Sequence, residues 1–290
     1  NESLLQFNRI TDKPFVEILN ENGLFITKEV EVGISDGINV EILKGVKEGD
    51  KIVTLQPLKV GNKNIILNAP LNGFVLNINA GIGEIIKAGG SAEFHYLDVT
   101  DTQEVNKIVQ SIEAKRGPFK AAIANAGIAH KVMLEDMTDE KWSHTLDIDL
   151  TGEFRLARAV APGMKNAGEG AIVCVSSVMG TTYGWHNHIQ YNAAKSGVVG
   201  LVRGLACDLG AYGIRVNGLA PGFIRTAQAL SSVHSLGPEG LEKAAEYIPL
   251  GRIGQADEMA DVLLFMCSHA SRYLTGQTII VDGGVTVGRY

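Results

Sequence analysis

The chain has 290 residues, of which 45% are hydrophobic and 20% charged, and this is enough for one large or two smaller hydrophobic cores. Its formal net charge of −6 argues against a nucleic-acid partner, because nucleic-acid binders need a basic face to neutralise phosphates. A membrane-spanning helix is not expected either, since no apolar run approaches the roughly 20 residues that a bilayer requires.

Cysteine usage points to a reducing compartment. Cys174, Cys207 and Cys267 lie far apart in apolar stretches, without paired spacing and without a flanking histidine pattern. We interpret them as buried, reduced thiols and expect a cytoplasmic protein without a metal site. The first residues lack the charged start and apolar core of a secretion signal, but the chain does not begin with methionine, which leaves its export history open.

The first predicted elements are short strands over residues 1–80. This region is rich in β-branched residues and is punctuated by Asn-Gly, Asp-Gly and Gly-Asp turns. The candidate strands are PFVEIL, LFITKEVEVG, NVEIL, KIVTL, NIIL and GFVLNI. The pattern predicts a small antiparallel β-rich domain.

Strands alternate with amphipathic helices over residues 84–290. The predicted strands are AEFHYL, FKAAIA, GAIVCVS, IRVNGLA and QTIIVDGG. The predicted helices cover residues 101–117, 138–164, 189–210 and about 255–267. Such alternation is typical of an α/β fold with βαβ units and a parallel sheet covered on both faces.

A tyrosine and a lysine open the helix predicted after GAIVCVS. Tyr191 and Lys195 lie on one helical face, and Ser177 follows the strand at the sheet edge where ligands bind. The lysine is expected to lower the pKa of Tyr191 towards neutrality. Such a phenol can give a proton to an alkoxide or take one from an alcohol, and Ser177 can hold the same oxygen. The three residues therefore indicate interconversion of a carbonyl and an alcohol.

Six segments carry a family resemblance, namely LDVTD, IANAGIA, VSSVMG, YNAAK, IRVNGLAPGFIRT and TGQTIIVDGG. From about residue 84 to its end the chain resembles the short-chain dehydrogenase/reductase family. The resemblance implies a Rossmann-like, doubly wound parallel sheet and NAD or NADP as the cofactor. It also implies a ketone or secondary-alcohol substrate, as in the 3-oxoacyl-carrier reductases and small alcohol dehydrogenases, and a homotetramer.

The resemblance also implies roles for individual residues. Tyr191 would be the general acid and base, Lys195 would lower its pKa and hold the cofactor ribose, and Ser177 would orient the substrate oxygen. The other residues that match cofactor-binding positions of the family are Asp98 and Val99 beside the adenine, Asn125, Ala126 and Gly127 beyond the fourth strand, and Pro221, Gly222, Ile224 and Thr226 around the nicotinamide amide.

One departure from the family lies in the long helix. Asp149, in LDIDLTGEF, stands where the family has an asparagine that supports a water linking lysine to solvent. A carboxylate there would hold Lys195 more firmly charged and would cancel part of its effect on Tyr191. We therefore expect reduced activity or a shifted pH optimum.

Two further segments flank the expected pocket. Residues 227–250 correspond to the substrate lid of the family, but their mixed apolar and small side chains do not name a substrate. Trp185, His186 and His188 lie beside the site, and we prefer pocket lining to metal binding for them, because no carboxylate or cysteine motif accompanies the histidines.

The larger departure is at the front of the family-like region. The family opens with a strand, a glycine-rich turn and a helix that receives the cofactor pyrophosphate, but here only Gly81 and Gly83 match the end of that turn. Asp98 lies only 15 positions after Gly83, which leaves too few residues for the first helix, the second strand and most of the second helix. The sequence thus predicts a chain that lacks the phosphate-binding unit.

The residues before the family-like region carry a second resemblance. Residues 14–53 resemble the membrane-proximal β domain of periplasmic adaptor proteins in efflux pumps, which implies protein contact rather than catalysis. Three hypotheses follow: an NAD(P)-dependent oxidoreductase, a catalytically weak or inert binding scaffold, and a chimeric chain with an efflux-adaptor segment.

Overall fold

The computed structural model describes residues 6–7, 13–19, 25–35, 40–46, 51–53, 58–60, 63–65, 95 and 97–288. These residues divide into two units, of which one holds the described residues up to 65 together with His95, and the other holds residues 97–288. The boundary at about residue 80 and the strand expected in GFVLNI lie outside the described residues.

The first unit consists of antiparallel strands. They are β1 Gln6–Phe7, β2 Pro14–Leu19, β3 Phe25–Glu29, β4 Glu31–Ser35, β5 Val40–Lys44, β6 Lys51–Val53, β7 Leu58–Val60 and β8 Lys63–Ile65. β2 pairs with β1, β3 and β6, while β4 pairs with β5 and β7 with β8. Val16 and Val30 are buried against Val32, Ile42 and Val46. The predicted β-rich character is confirmed for the described part of this region.

The second unit contains one parallel sheet. Its strands are β9 Ala121–Ala124, β10 Gly170–Val175, β11 Ile214–Pro221 and β12 Thr278–Val281. They lie in the order β12-β11-β10-β9, and every neighbouring pair is parallel. The prediction of a strand in AEFHYL is wrong at His95 and Leu97, which belong to no strand. Leu97 is fully buried, so the apolar pattern there reports burial rather than strand pairing.

Helices connect these strands. They are α1 Thr102–Arg116, α2 Asp139–Leu146, α3 Gly152–Ala167, α4 Val178–Thr181, α5 Ile189–Leu209, α6 Ala227–Leu230, α7 Gly237–Ala245 and α8 Ala256–Cys267. Asp101 begins α1, because its carboxylate accepts the N–H groups of Gln103 and Glu104. Of the helices in the described ranges, none is long and apolar enough to span a membrane.

A π turn interrupts the long helix that was predicted over residues 138–164. It covers Asp147–Thr151, between α2 and α3, and the N–H of Gly152 bonds the carbonyl of Asp147 five residues earlier. The predicted helix is therefore present from Asp139 to Ala167, but it is not α-helical throughout. The wider turn buries Ile148 and Asp149, and π turns of this kind are frequent at functional sites.

Side chains cover the sheet on both faces. One core cluster packs Ile172, Cys174 and Val216 of the strands against α1, α3 and α5. A second cluster packs Val173 and Leu219 of the strands against α8. Because neighbouring strand residues point to opposite faces, this alternation establishes the doubly wound arrangement that the sequence predicted.

Candidate active site

A cavity of about 340 Å³ lies at the carboxyl ends of β9, β10 and β11, the edge where open parallel sheets bind ligands. Most of the residues predicted for the site line its wall. They are Asn125, Gly127, Ser177, Tyr191, Lys195, Pro221, Gly222, Ile224 and Thr226. The structure thus brings the expected proton-transfer group and the expected nicotinamide contacts into one cavity.

Four predicted residues are outside this wall in the described part of the chain: Asp98, Val99, Ala126 and Asp149. Asp98 accepts hydrogen bonds from the backbone N–H and the hydroxyl of Thr100. Val99 is buried in a small cluster to which Ala126 also packs. The residues expected beside the adenine are therefore separate from the cavity.

Two serines fix the loop after β10 against α5. The hydroxyl of Ser176 donates to the backbone carbonyl of Lys195 at 2.7 Å. Ser177 begins α4, where its Oγ accepts the N–H of Met179 at 3.1 Å. A Cβ added to Gly180 would lie 2.4 Å from the carbonyl carbon of Lys195, so only glycine permits this close contact. The loop and the start of α5 consequently hold Ser177, Tyr191 and Lys195 in fixed positions.

Tyr191 is almost completely buried, and its hydroxyl interacts with that of Ser177. Burial raises the pKa of Tyr191 above its ordinary value, and the opposing effect of Lys195 is partly cancelled by Asp149 and Glu153. The expected fall of the Tyr191 pKa towards neutrality is therefore wrong for this structure. The phenol is protonated at neutral pH.

The ammonium of Lys195 lies among oxygen atoms of the core. Its Nζ donates to the carbonyl of Val175 at 2.8 Å and to Oε1 of Glu153 at 3.2 Å. Oδ2 of Asp149 lies 3.8 Å from the same nitrogen. Burial lowers the pKa of Lys195, but Glu153 and Asp149 raise it more, so it ends above its ordinary value. Lys195 is therefore firmly charged, as the sequence predicted from Asp149.

Both carboxyl groups of this cluster resist ionisation. Burial raises the pKa of Asp149 to about 6 and that of Glu153 to about 8, although Lys195 acts in the opposite direction on each. Asp149 is also held by the backbone N–H of Ile128, which donates to its Oδ1 at 2.8 Å. A Cβ on Gly127 would lie 3.3 Å from Nζ of Lys195, so this glycine keeps the approach to the ammonium clear.

Glu153 is the functional candidate that sequence reasoning missed. It is the first acidic residue after Asp149 and lies four positions further along the chain. It opens a helical face whose later members, Leu156, Ala157 and Val160, are all buried apolar residues. An acidic residue in phase with an apolar face is the signal that could have identified it.

Trp185, His186 and His188 differ in whether they line the cavity. Trp185 lines the cavity and meets Tyr191 edge to face, with ring centroids 5.8 Å apart. His186 and His188 are not in the described wall. His188 instead stacks on Trp185 at 3.7 Å, and its ring nitrogens contact the carbonyls of His186 and His234. Pocket lining is therefore observed for the tryptophan alone among these residues.

The expected lid contributes five residues to the cavity wall. They are Gln228, Ala229, Ser235, Leu236 and Leu241. Thr226 begins the short helix α6 by accepting the N–H of Ala229 at 3.2 Å. The segment thus lies beside the candidate site, as expected.

Comparisons with known proteins agree with this geometry. A family model described as enoyl-(acyl carrier protein) reductase matches residues 76–286. The 3-oxoacyl-[acyl-carrier-protein] reductase of Thermotoga maritima is 36% identical over 211 residues, which are 73% of this chain and 84% of the relative. The trans-4-hydroxycyclohexanecarboxylate dehydrogenase of Sinomonas cyclohexanicum is 38% identical over 210 residues, 72% of this chain and 75% of the relative.

Solved structures resemble the same part of the chain. A gluconate 5-dehydrogenase from Burkholderia cenocepacia, solved in complex with NADP and tartrate, aligns with a TM-score of 0.66 and 31% identity. The alignment covers 71% of this chain and 80% of that protein.

Proposed function

Since the chain belongs to the short-chain dehydrogenase/reductase family, we propose that it is an NAD- or NADP-dependent oxidoreductase that interconverts a ketone and a secondary alcohol. One observation carries the proposal: Ser177, Tyr191 and Lys195 line one cavity at the carboxyl end of β10.

In the reducing direction Tyr191 gives its proton to the substrate oxygen as a hydride reaches the carbonyl carbon. The raised pKa of Tyr191 suits this role, because the phenol carries the required proton at neutral pH. Ser177 holds the same oxygen through its hydroxyl and stabilises the negative charge that develops there. Lys195 keeps a positive charge one helical turn away. In the oxidising direction the phenolate takes the proton of the alcohol.

The nicotinamide cofactor supplies or accepts the hydride when it is bound. Glycine at position 127 leaves open the approach to the Lys195 ammonium, and this supports a role for Lys195 and Tyr191 in holding ribose hydroxyls. Asn125, Ala126 and Gly127 would contact the cofactor from the end of β9, and Pro221, Gly222, Ile224 and Thr226 from the end of β11. Asp98 and Val99 would lie towards the adenine.

The residues of this chain match the phosphates of the cofactor less well than they match its ribose and nicotinamide. The candidate turn at Gly81 and Gly83 lies outside the described residues, and the sequence there lacks the full glycine pattern. We therefore propose weak cofactor binding, because the backbone donors and the helix end that hold a pyrophosphate are reduced.

The substrate class follows from the cavity wall. Its side chains include Met179, Trp185, Phe223 and Leu236. Among the lining residues that the structure describes, Lys195 is the one positively charged side chain. Such a wall suits an uncharged acyl chain or ring beside the ketone. We propose a 3-oxoacyl or cyclic substrate, consistent with the substrates in the names of the two relatives.

We also propose a cellular location, an oligomeric state and a role for residues 1–80. The three cysteines are free thiols, although only Cys174 is buried as expected, while Cys267 is partly buried and Cys207 is exposed. Free thiols support a cytoplasmic location. Exposed apolar side chains on α3, α8 and β12, such as Phe154, Leu264 and Ile280, support the homotetramer expected for the family. For residues 1–80 we propose a protein-contact role, supported by their adaptor-like sequence.

A binding and turnover experiment tests the proposed function. NADH and NADPH are titrated against the purified chain while nicotinamide fluorescence is followed, and a panel of 3-oxoacyl and cyclic ketones is then assayed. We expect binding of one dinucleotide, weakly, and turnover of at least one ketone. Absence of binding at millimolar cofactor would instead favour an inert scaffold.

A further inference from the structure

The cluster around Lys195 contains more acid than base. Two carboxyl groups, Asp149 and Glu153, lie within 3.8 Å of one ammonium. Both carboxyl side chains are at most 1% exposed and that of Lys195 is 5% exposed. If all three groups were ionised, the interior would hold an uncompensated negative charge, which is costly to bury. One additional proton makes the cluster neutral.

The two carboxyl groups differ in their backbone partners, although side chains hydrogen-bond both, Lys195 in each case and Cys174 at Glu153 as well. The backbone N–H of Ile128 donates to Asp149, and such a bond favours the ionised carboxylate. No backbone N–H of the described residues donates to Glu153. The titratable groups that face Glu153 are Lys195 on α5, Asp149 on the π turn and Cys174 on β10. Its higher pKa, about 8 against about 6 for Asp149, agrees with this assignment.

Lys195 contacts both Glu153 and the cavity that Tyr191 lines. Its Nζ donates to Oε1 of Glu153 at 3.2 Å, and the same residue lines the cavity one helical turn after Tyr191 on α5. We propose that Glu153 is a proton store, which exchanges its proton with Tyr191 through Lys195 during turnover. This inference rests on the proposed dehydrogenase function.

The exchange balances in both directions. In ketone reduction the O–H bond of Tyr191 breaks as its proton joins the substrate oxygen, and a hydride from the reduced nicotinamide joins the carbon. The phenolate then takes a proton from Nζ of Lys195, and Lys195 takes one from Glu153. The carboxylate of Glu153 recovers its proton from water after the alcohol leaves. In alcohol oxidation each proton moves in the opposite direction and Glu153 ends protonated.

The pH profile of turnover tests the role of Glu153. Wild type is compared with Glu153→Gln, Glu153→Asp and the control Glu169→Gln, whose side chain is 61% exposed at the far end of β10. We expect Glu153→Gln to lower kcat at least roughly tenfold, less than the roughly 10²–10⁴-fold contribution of a direct proton donor. We also expect it to leave KM nearly unchanged and to remove one ionisation from the profile.

The other variants separate this role from a structural one. Glu153→Asp should recover part of the lost kcat and the missing ionisation, while Glu169→Gln should match wild type. A folded Glu153→Gln protein with the wild-type kcat and pH profile would overturn the proton store. If no ketone is turned over, the proposed function fails and this inference fails with it.

Infrared spectroscopy of the wild-type protein without cofactor gives a second measurement that needs no variant. A buried protonated carboxyl group has a carboxylic-acid C=O band, and labelling glutamate with ¹³C at the side-chain carboxyl shifts that band only if a glutamate carries the proton. We expect a band at pH 7 that shifts with the label and disappears as the pH rises above about 8. A band that ignores the label, or no band, would contradict a protonated Glu153.

Discussion

The two sides of Lys195 differ in charge although they surround the same ammonium. On the cavity side the neighbours are the neutral hydroxyls of Tyr191 and Ser177. On the core side they are the carboxyl groups of Asp149 and Glu153. Burial raises the pKa of Tyr191 more than Lys195 lowers it, and the carboxyl groups on the core side add smaller contributions in the same direction as burial. A short tyrosine-to-lysine spacing therefore does not by itself determine the acidity of the phenol.

Removing the phenol should have the largest effect. Tyr191→Phe keeps the ring against Trp185 but removes the proton, so kcat should fall roughly 10²–10⁴-fold for ketone reduction. The matched control is Tyr212→Phe, a tyrosine that is 47% exposed. Steady-state kinetics with both variants give the comparison. If Tyr191→Phe retained wild-type turnover across the ketone panel, the cavity side would have no role in proton transfer.

Removing the serine hydroxyl on the cavity side should have the next largest effect. Ser177→Ala loses the group that holds the substrate oxygen, and kcat should fall about 10²-fold. The same change removes the cap of α4 and should cost about 1 kcal/mol of stability, so thermal unfolding is measured alongside. Ser143→Ala, on the exposed face of α2, is the control. Equal kcat values for the two alanine variants would contradict this role of Ser177.

The core side can be examined through stability. The pKa of Glu153 is raised in the folded state to about 8, so the folded protein binds more protons than the unfolded chain. The stabilising contribution is fully present below the unfolded pKa and is lost as the pH rises towards 8. Glu153→Gln removes this dependence. Between pH 6 and pH 9 its free energy of unfolding should rise by roughly 3 kcal/mol relative to that of wild type, since about two pH units lie between pH 6 and the folded pKa and each corresponds to about 1.4 kcal/mol.

Urea unfolding of both proteins at the two pH values measures this gain. Parallel changes of the unfolding free energy in wild type and Glu153→Gln would mean that Glu153 is ionised in the folded protein across the whole range.

Removing the second carboxylate should have the smallest effect. Asp149→Asn takes away a negative charge that raises the pKa of Tyr191. The ionisation of Tyr191 in alcohol oxidation should therefore move to lower pH, by less than about one unit. A pH profile of kcat for oxidation checks the shift. Coincident profiles for Asp149→Asn and wild type would mean that Asp149 does not affect the ionisation of Tyr191.

The sequence predicted the cavity side well. Alternating strands and helices determine a parallel sheet, and the carboxyl ends of parallel strands meet at one edge. Ser177 and Tyr191 could therefore be expected in one cavity from their places after β10. The helix predicted over residues 101–117 was also nearly correct, since α1 covers Thr102–Arg116 with an aspartate cap and a following glycine.

The core side was less accessible to sequence reasoning. The π turn at Asp147–Thr151 gives no periodic signal, because a single wide turn is too short to change the apolar pattern. Acidic residues on helices usually face water, so the burial of Glu153 depends on tertiary packing. The pKa of Tyr191 depends on burial in the same way. The missing phosphate-binding unit stays a prediction, since residues 66–94 lie outside the described part of the chain.

The π turn also holds one residue more than an α-helix has in the same turn. Gly152 bonds Asp147, five residues earlier, and so takes the place that the residue four positions after Asp147 has in an α-helix. The wide turn therefore absorbs the additional residue, and α3 continues in the phase of α2. An insertion elsewhere in these helices would instead rotate α3 by about 100°, and it would move the carboxyl of Glu153 and the apolar stripe of α3 away from their present contacts together.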